Sequence, residues 1–326
     1  DQARIYKPDS LGQSAAREAI SAYYDARIPA SQIVVTPGTS VSYWYCFKLL
    51  AEQGDEILTP RPSYPLFDYI ARLCGVTLTN YDLVESRDWA IDLEHLERQI
   101  SWKTRAIVLI SPHNPTGMVA SMDQLHELAA IAARYEVPII SDEVFSEFLF
   151  DYETFPRPAL TDAPLIFTLN GLSKMFALPG MKIGWIGISG DEHLVDKSIS
   201  ALELISDTFL PVNETAQFAV PRIFAEGQGF LAGYKQWITR SRNVAVDCLS
   251  GCSYVLPAGG FYVTLRLHND EEQSALTLLR DKRVLVHPGY FYDIAPNHLV
   301  MTFIQDSASL RTAFSAIAEH CLMGQE

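Results

Sequence analysis

Short apolar runs alternate with longer amphipathic stretches over the first 190 residues, and this alternation restricts the fold more than any other feature of the chain. Continuous apolar runs are typical of strands that are buried on both faces. The predicted strands are "QIVVT" (32–36), "DEILTP" (55–60), "RAIVLIS" (105–111), "VPIISDE" (137–143), "LIFTLNG" (165–171) and "KIGWIGIS" (182–189). Predicted helices lie between them, for example at 41–54 and at 121–136, where Ser121 is a suitable N-cap. The pattern predicts an α/β fold with a mostly parallel central sheet that is covered by helices.

The pattern changes after about residue 190, where long helical segments replace the alternation. A shorter α+β region follows, with predicted strands at 259–267, 284–289 and 299–305. We therefore expect a large α/β domain over residues 1–235 and a small C-terminal α+β domain over residues 236–326. A long helix near residue 235 is expected to join them.

The charge balance narrows the classes of partner. The chain has 25 basic and 39 acidic residues, a net charge of −14, which argues against a nucleic-acid surface and against an anionic membrane. Its apolar runs are much shorter than the roughly 20 residues that a membrane helix needs. The five cysteines are scattered and lack the spacing of metal ligands. They predict free thiols in a reducing cytoplasm and no metal site.

Four polar features follow predicted strands, which is where open α/β sheets bind ligands. The first is "TPGTS" (36–40), a glycine turn that leads into a helix and so offers backbone amides to an anion. The others are "SPHNPTG" (111–117), Asp142 at the end of "VPIIS", and Lys174 in "NGLSKMFALPG". Each feature alone is compatible with an ordinary turn, cap or ion pair.

Taken together and in this order, the four features resemble the class I/II aminotransferases, the pyridoxal-phosphate enzymes of the aspartate aminotransferase superfamily with fold type I. The resemblance extends from about Tyr6 to the C-terminus. The segments that carry it are "GDEILTPRPSYP", "SPHNPTG", "SDEVF", "LSKMFALPGMKIGW" and "PAGGFYVTL".

The resemblance implies a role for each matching residue. Lys174 would form the Schiff base with the aldehyde of pyridoxal 5'-phosphate and then move the α-proton, which requires a lowered pKa. Asp142 would pair with the pyridine nitrogen and keep the ring an electron sink. Asn114 would hydrogen-bond the phenolic oxygen of the cofactor, and Tyr64 would stack on its ring.

The remaining implied contacts surround the phosphate. Gly38, Thr39 and Ser40 would cradle it, and Ser173 lies beside Lys174 in the cofactor-binding segment. Tyr6 matches a tyrosine that reaches the phosphate of the neighbouring subunit in this family. The resemblance therefore implies a homodimer with shared active sites.

Three positions on the cofactor side depart from the family pattern. Phe145 stands where a tyrosine usually donates to the phenolic oxygen, so the titration of the bound cofactor is expected to shift. Lys182 replaces an arginine and offers a point charge instead of a bidentate fork. Gly171 replaces a phosphate-binding serine.

A fourth departure concerns the substrate. The family holds the α-carboxylate of its substrate with an arginine on the C-terminal strand, and "NHLVMTFI" places Val300 there. No Lys or Arg occurs from Ala295 to Leu310. Another cation could take over, Arg61 before Arg266, or the substrate could lack a conventionally held α-carboxylate. His287 in "VHPGYF" is a further candidate for a substrate contact.

The resemblance implies a cytoplasmic aminotransferase that moves an amino group between an amino donor and a 2-oxo acid in a ping-pong exchange. A C–S lyase or racemase of the same fold remains an alternative, because the motifs around the cofactor are common to all of them. A non-catalytic cofactor-binding sensor domain is a third hypothesis, although no basic DNA-binding module precedes the fold here. Family members usually carry a few dozen residues before "YKPDSLG", including a segment that closes over the substrate, so either the sequence begins late or the protein is naturally short.

Overall fold

A computed structural model describes residues 6–210 and 212–323. It contains an eight-stranded and a four-stranded sheet. The strands are β1 (Ile33–Thr36), β2 (Glu56–Arg61), β3 (Thr77–Val84), β4 (Ala90–Ile91), β5 (Thr104–Ile110), β6 (Ile139–Asp142), β7 (Leu165–Gly171), β8 (Gly184–Gly190), β9 (Ser253–Tyr254), β10 (Tyr262–Arg266), β11 (His287–Pro288) and β12 (His298–Thr302). The helices are α1 (Ser14–Tyr23), α2 (Thr39–Leu50), α3 (Leu66–Cys74), α4 (Leu93–Gln99), α5 (Met122–Tyr135), α6 (Leu172–Met175), α7 (Glu192–Thr208), α8 (Glu214–Glu226), α9 (Gln228–Cys248), α10 (Glu271–Lys282) and α11 (Ser307–Met323).

The large sheet has the strand order β1-β8-β7-β6-β5-β2-β3-β4. Strands β7, β6, β5, β2 and β3 are parallel to their neighbours in this series, whereas β8 pairs antiparallel with both β1 and β7. The predicted mostly parallel sheet is therefore confirmed. Because β5, β6 and β7 point the same way, the segments that follow them meet at one edge of the sheet.

Helices cover both faces of this sheet, as the apolar runs predicted. On one face α2 buries Tyr43, Cys46 and Phe47 in a cluster with the side chains of β5 to β8. On the other face α5 buries Leu125 and Leu128 against Leu109 and its neighbours. Each fully buried large apolar side chain stabilises the fold by about 1.5–3 kcal/mol relative to an exposed one.

Two helix starts follow from local chemistry. Ser121 caps α5, because its hydroxyl accepts from the Gln124 amide while the Gln124 side chain accepts from the Ser121 amide. This capping box confirms the predicted N-cap. Helix α2 begins at Thr39, directly after Gly38 (φ 110°), so its first turn lies closer to the glycine turn than predicted.

The small sheet has the order β11-β12-β10-β9 with antiparallel pairing throughout. Its register places His287 opposite Val300, and Val300 opposite Thr264. The Thr264 hydroxyl donates to the carbonyl of Pro115 over 3.1 Å, so this face of the small sheet meets the loop that contains Asn114. Helix α9 runs without a break through residue 235, and the domain boundary proposed there stays a prediction.

The sequence analysis did not predict β3, which has mixed burial and contains Thr77, Thr79, Asn80 and Asp82. Its polarity follows from its position, since it lies next to the short edge strand β4. Within residues 6–210 and 212–323, no helix combines the length and apolarity that crossing a membrane requires.

Candidate active site

A cavity of about 270 Å³ lies where β5, β6 and β7 end, at the edge predicted to bind ligand. Its walls include most of the residues that the sequence analysis singled out: Thr39, Ser40, Tyr64, Asn114, Asp142, Phe145, Ser173, Lys174 and Lys182. Residues that lie far apart in the sequence are thus brought together. Gly38 precedes Thr39 as the N-cap of α2.

Lys174 lies in the single turn of α6, immediately after β7. The side chain is half-buried, and its Nζ atom is 5.9 Å from the ring centre of Phe145. Burial lowers the pKa of Lys174, and the nearby Asp142 carboxylate opposes this shift only in part. A lysine with a lowered pKa can present an uncharged, nucleophilic amine near neutral pH.

Asp142 ends β6 and is almost fully buried. One carboxylate oxygen accepts from the Tyr43 hydroxyl over 2.8 Å, and the other accepts from the Val144 amide over 3.1 Å. Burial raises the pKa of Asp142 to about 6, although both hydrogen bonds and the charge of Lys174 favour the ionised form. A cationic partner in the cavity would stabilise this carboxylate, because a buried charge needs one.

The sequence analysis missed Tyr43, the residue that orients Asp142. Tyr43 lies on α2 one helical turn after Thr39 and Ser40, so the helix that borders the cavity also carries the donor to the carboxylate. Its position at i+4 from Thr39 was the signal available in the sequence. A tyrosine within an apolar helix, however, is equally typical of core packing.

Asn114 offers an unused polar group. Its side chain is buried, and within the described part of the chain its Oδ1 atom has no hydrogen-bond partner. The assignment of oxygen and nitrogen in a side-chain amide follows from its hydrogen bonds, so either atom can face the cavity. A buried unpaired amide costs about 1–3 kcal/mol, which a ligand with a polar oxygen would recover.

The N-terminus of α2 forms the second polar end of the cavity. The first amides of a helix have no acceptor within it, and the helix dipole favours an anion there. Thr39 and Ser40 add hydroxyl groups, and Lys182 adds an exposed positive charge. An added Cβ at Gly171 would lie 2.9 Å from the Ile183 carbonyl oxygen and 3.1 Å from the Gly184 Cα, so the backbone is too close for the usual serine.

The predicted substrate cations do not reach this cavity. Arg61 donates to Asp82 through two nitrogens, at 2.7 and 3.0 Å, and lines a separate exposed cavity. Arg266 forms a surface ion pair with Glu85. Their placement gives no support to either arginine as the carboxylate-binding group.

The two other residues that the sequence analysis named for the substrate are Val300, which is apolar, and His287, which is hydrogen-bonded to a neighbouring side chain. Val300 is only 2% exposed and packs in the apolar cluster that also contains Tyr292. The His287 ring lies outside the cavity wall and is hydrogen-bonded through Nδ1 to the Tyr292 hydroxyl, 2.9 Å away. Tyr262 on β10, which the sequence analysis did not name, does line the cavity.

Fold and cavity together define the class: an α/β protein of the pyridoxal-phosphate fold type I, with a lysine and a carboxylate at the ends of adjacent strands. The sequence model of aminotransferase class I and II matches residues 3–317. The chain therefore belongs to the class I and II aminotransferase family, whose members use pyridoxal phosphate, and the predicted family is confirmed.

Individual relatives agree with this assignment. The chain is 28% identical to a tyrosine aminotransferase of Dictyostelium discoideum over 96% of its own length and 80% of the relative's. It is 32% identical to a glutamate-pyruvate aminotransferase of Escherichia coli, over 89% and 76% of the two lengths. Among solved structures, alanine aminotransferase from Pyrococcus furiosus superimposes with a TM-score of 0.91 at 26% identity, covering 98% of this chain and 84% of that one.

The residues of the cavity fit the family's cofactor. The amides and hydroxyls at the start of α2, with Lys182, suit a phosphate, and the unpaired amide of Asn114 suits a phenolic oxygen. The buried Asp142 carboxylate suits a protonated pyridine nitrogen. The amine of Lys174 shares the cavity with these groups, as an aldehyde partner requires.

Proposed function

We propose that Lys174 and Asp142 are the catalytic residues of this aminotransferase, which exchanges an amino group between an amino donor and a 2-oxo acid in two successive half-reactions. The observation that carries the proposal is the cavity that Lys174 shares with the buried carboxylate of Asp142, where burial lowers the pKa of the amine. Bound pyridoxal phosphate supplies the carbonyl group and the electron-withdrawing ring that this chemistry needs.

Each protein group then has one task. The Lys174 amine holds the cofactor and takes up and returns the α-proton of the substrate. The Asp142 carboxylate, oriented by Tyr43 and by the Val144 amide, keeps the pyridine nitrogen protonated. With the cofactor bound, Asn114 would donate to its phenolic oxygen, Tyr64 would cover the ring, and Gly38, Thr39, Ser40 and Lys182 would hold the phosphate. Ser173 completes the wall beside Lys174.

The decisive experiment adds amino acids and simple amines one at a time, each with a 2-oxo acid acceptor, and quantifies the new amino acid. Lys174→Ala should lower kcat at least about 10³-fold, because covalent and proton-transfer roles are both lost. Lys235→Ala is the matched control, since Lys235 lies on α9 in a surface ion pair with Glu147. Pyruvate or ammonia release without a new amino acid would contradict the proposal and favour the lyase alternative.

We also propose a homodimer with shared active sites. Helix α2 contacts α3 and α7, and these two helices and the residues that follow α7 expose large apolar side chains: Tyr69, Leu73, Leu204, Phe209 and Leu210. Such a surface is typical of a subunit interface. Tyr6 is 79% exposed and does not line the cavity of its own chain, which is consistent with a contact across the interface.

Sedimentation at micromolar concentration tests the dimer, and Tyr6→Phe tests the shared site. The phenylalanine variant should bind pyridoxal phosphate several-fold more weakly, because a hydrogen bond to a charged group is lost. A monomer that retains full activity would contradict the proposal.

The five cysteines are free, which supports the cytoplasmic location predicted from the sequence.

A further inference from the structure

The acceptor of an aminotransferase is a 2-oxo acid, so its carboxylate must be held close to Lys174. A carboxylate that enters a cavity without a hydrogen-bonding partner loses several kcal/mol of hydration. Of the residues lining the cavity, all in the described part of the chain, Lys174 and Lys182 carry the positive charge. The first is the reacting amine and the second belongs to the phosphate end.

The small sheet supplies a different polar group at this point. Tyr262 lies on β10 two residues before Thr264, so both side chains are on the same face of the strand. Thr264 is the partner of Val300 and also donates to the Pro115 carbonyl, which directs this face toward the Asn114 loop. The Tyr262 side chain therefore reaches the cavity from the sheet that carries Val300.

The Tyr262 hydroxyl is available to a ligand. Its ring packs edge-on against Phe145, with 6.0 Å between the ring centres and 84° between the planes. Among residues 6–210 and 212–323, no group is hydrogen-bonded to this hydroxyl, and the partly buried side chain lines the cavity. Burial, with the neighbouring Tyr64, raises the pKa of Tyr262, so the phenol keeps its proton and remains a donor at neutral pH.

Tyr262 packs against the apolar cluster that contains Tyr292, and Tyr292 is in turn hydrogen-bonded to His287. The Tyr292 side chain is buried, its hydroxyl is bonded to His287 Nδ1 over 2.9 Å, and the two rings are stacked at 28°. Burial raises the pKa of Tyr292, with smaller contributions from the phenols of Tyr262 and Tyr64.

We propose that the Tyr262 hydroxyl binds the carboxylate of the 2-oxo acid and of the amino donor in place of the guanidinium that is absent at Val300. The His287–Tyr292 pair acts as the positioning element that fixes this wall of the cavity. This inference rests on the proposed aminotransferase function and names the residue that determines its specificity for the carboxylate. A phenol gives a charge-assisted hydrogen bond without a buried counter-charge.

The test measures binding without turnover. Propanoate and the uncharged propanamide are titrated calorimetrically into the cofactor-loaded enzyme, with Tyr262→Phe as the variant and Tyr290→Phe as the matched control. Tyr290 is an exposed tyrosine that lines the neighbouring cavity instead. We expect Tyr262→Phe to weaken propanoate binding about ten- to hundredfold and propanamide binding less, because the neutral amide carbonyl accepts a weaker hydrogen bond than the carboxylate does. The control should match the wild type.

Turnover provides an independent readout. Tyr262→Phe should raise KM for the 2-oxo acid by a similar factor with a much smaller change in kcat, because the hydrogen bond holds the substrate in both ground and transition states. Tyr292→Phe, which breaks the bond to His287, should give the same pattern with a smaller factor. The cofactor absorption spectrum and the thermal midpoint report whether each variant is folded and loaded.

Two outcomes separate the inference from the proposed function. If the wild type transfers amino groups but Tyr262→Phe binds propanoate within twofold of it, the carboxylate is held elsewhere and the inference is wrong. If propanoate binding depends on Tyr262 but no donor yields a new amino acid, the carboxylate assignment is supported and the proposed function fails.

Discussion

The two walls of the cavity differ in how closely they follow the family pattern. The wall built by the large sheet and α2 keeps the amide of Asn114, the carboxylate of Asp142 and the amine of Lys174, with Gly38 in the turn before α2. The small sheet contributes Tyr262 to the wall, and its buried Val300 stands at the position where the family resemblance implies a carboxylate-binding arginine. We expect the chemistry of the cofactor to restrict the first wall, whereas the second wall is proposed to face the substrate, which can differ between enzymes of one fold.

The largest effect is expected for a substitution in the wall that follows the family pattern. Asp142→Asn should lower kcat by about 10²-fold or more, because the variant cannot stabilise a positive charge on the pyridine nitrogen. Steady-state kinetics at saturating cofactor measures this change. Asp281→Asn is the control, since Asp281 lies on α10 with an exposed side chain, far from the cavity-lining residues in the sequence. Equal losses in the two variants would mean that Asp142 has no special role.

The same variant has a pH signature in the cofactor-free protein. The pKa of Asp142 is raised from 3.8 to about 6, so the folded state holds this proton more tightly than the unfolded state. Ionisation of Asp142 therefore destabilises the fold, by an amount that grows from pH 4 to above pH 6 and reaches about 3 kcal/mol. Relative to wild type, Asp142→Asn should gain stability over this range in urea unfolding. A difference independent of pH would contradict this.

A smaller effect is expected at Gly171, where the cofactor side of the cavity departs from the family pattern. Gly171→Ser reintroduces the usual serine, but its Cβ would lie within 2.9 Å of a backbone oxygen, so the free energy of unfolding should fall by about 1–3 kcal/mol. Gly233→Ser on α9 is the control, because an added Cβ there meets nothing within 4 Å. Unchanged stability together with tighter cofactor binding would show that the missing serine is not a packing requirement.

The smallest effect concerns Lys182. Lys182→Arg should strengthen cofactor binding only a few-fold, because the position is exposed and water screens the ion pair with the phosphate. Equilibrium dialysis of the cofactor gives the dissociation constant. An increase of about a hundredfold would indicate that the fork of the guanidinium, rather than its charge, limits affinity at this site.

Strands β5, β6 and β7 were predicted from their own residues alone. Their continuous apolar runs were sufficient because both faces of a central parallel strand are buried. Strand β3 was missed, since its position near the edge allows polar residues. The capping box at Ser121 is encoded within four residues and was predictable for that reason.

From the sequence by itself, the α/β alternation predicted that Asn114, Asp142 and Lys174 lie at one edge of the sheet, and the family resemblance implied their roles toward the cofactor. Parallel strands bring such residues to one edge without further information. Only the tertiary structure decided the partners across the chain: Tyr43 on Asp142, Arg61 on Asp82, and Tyr262 in the cavity. These contacts depend on how α2 and the small sheet pack against the large sheet, and the periodicity of each segment carries no information about its distant neighbours.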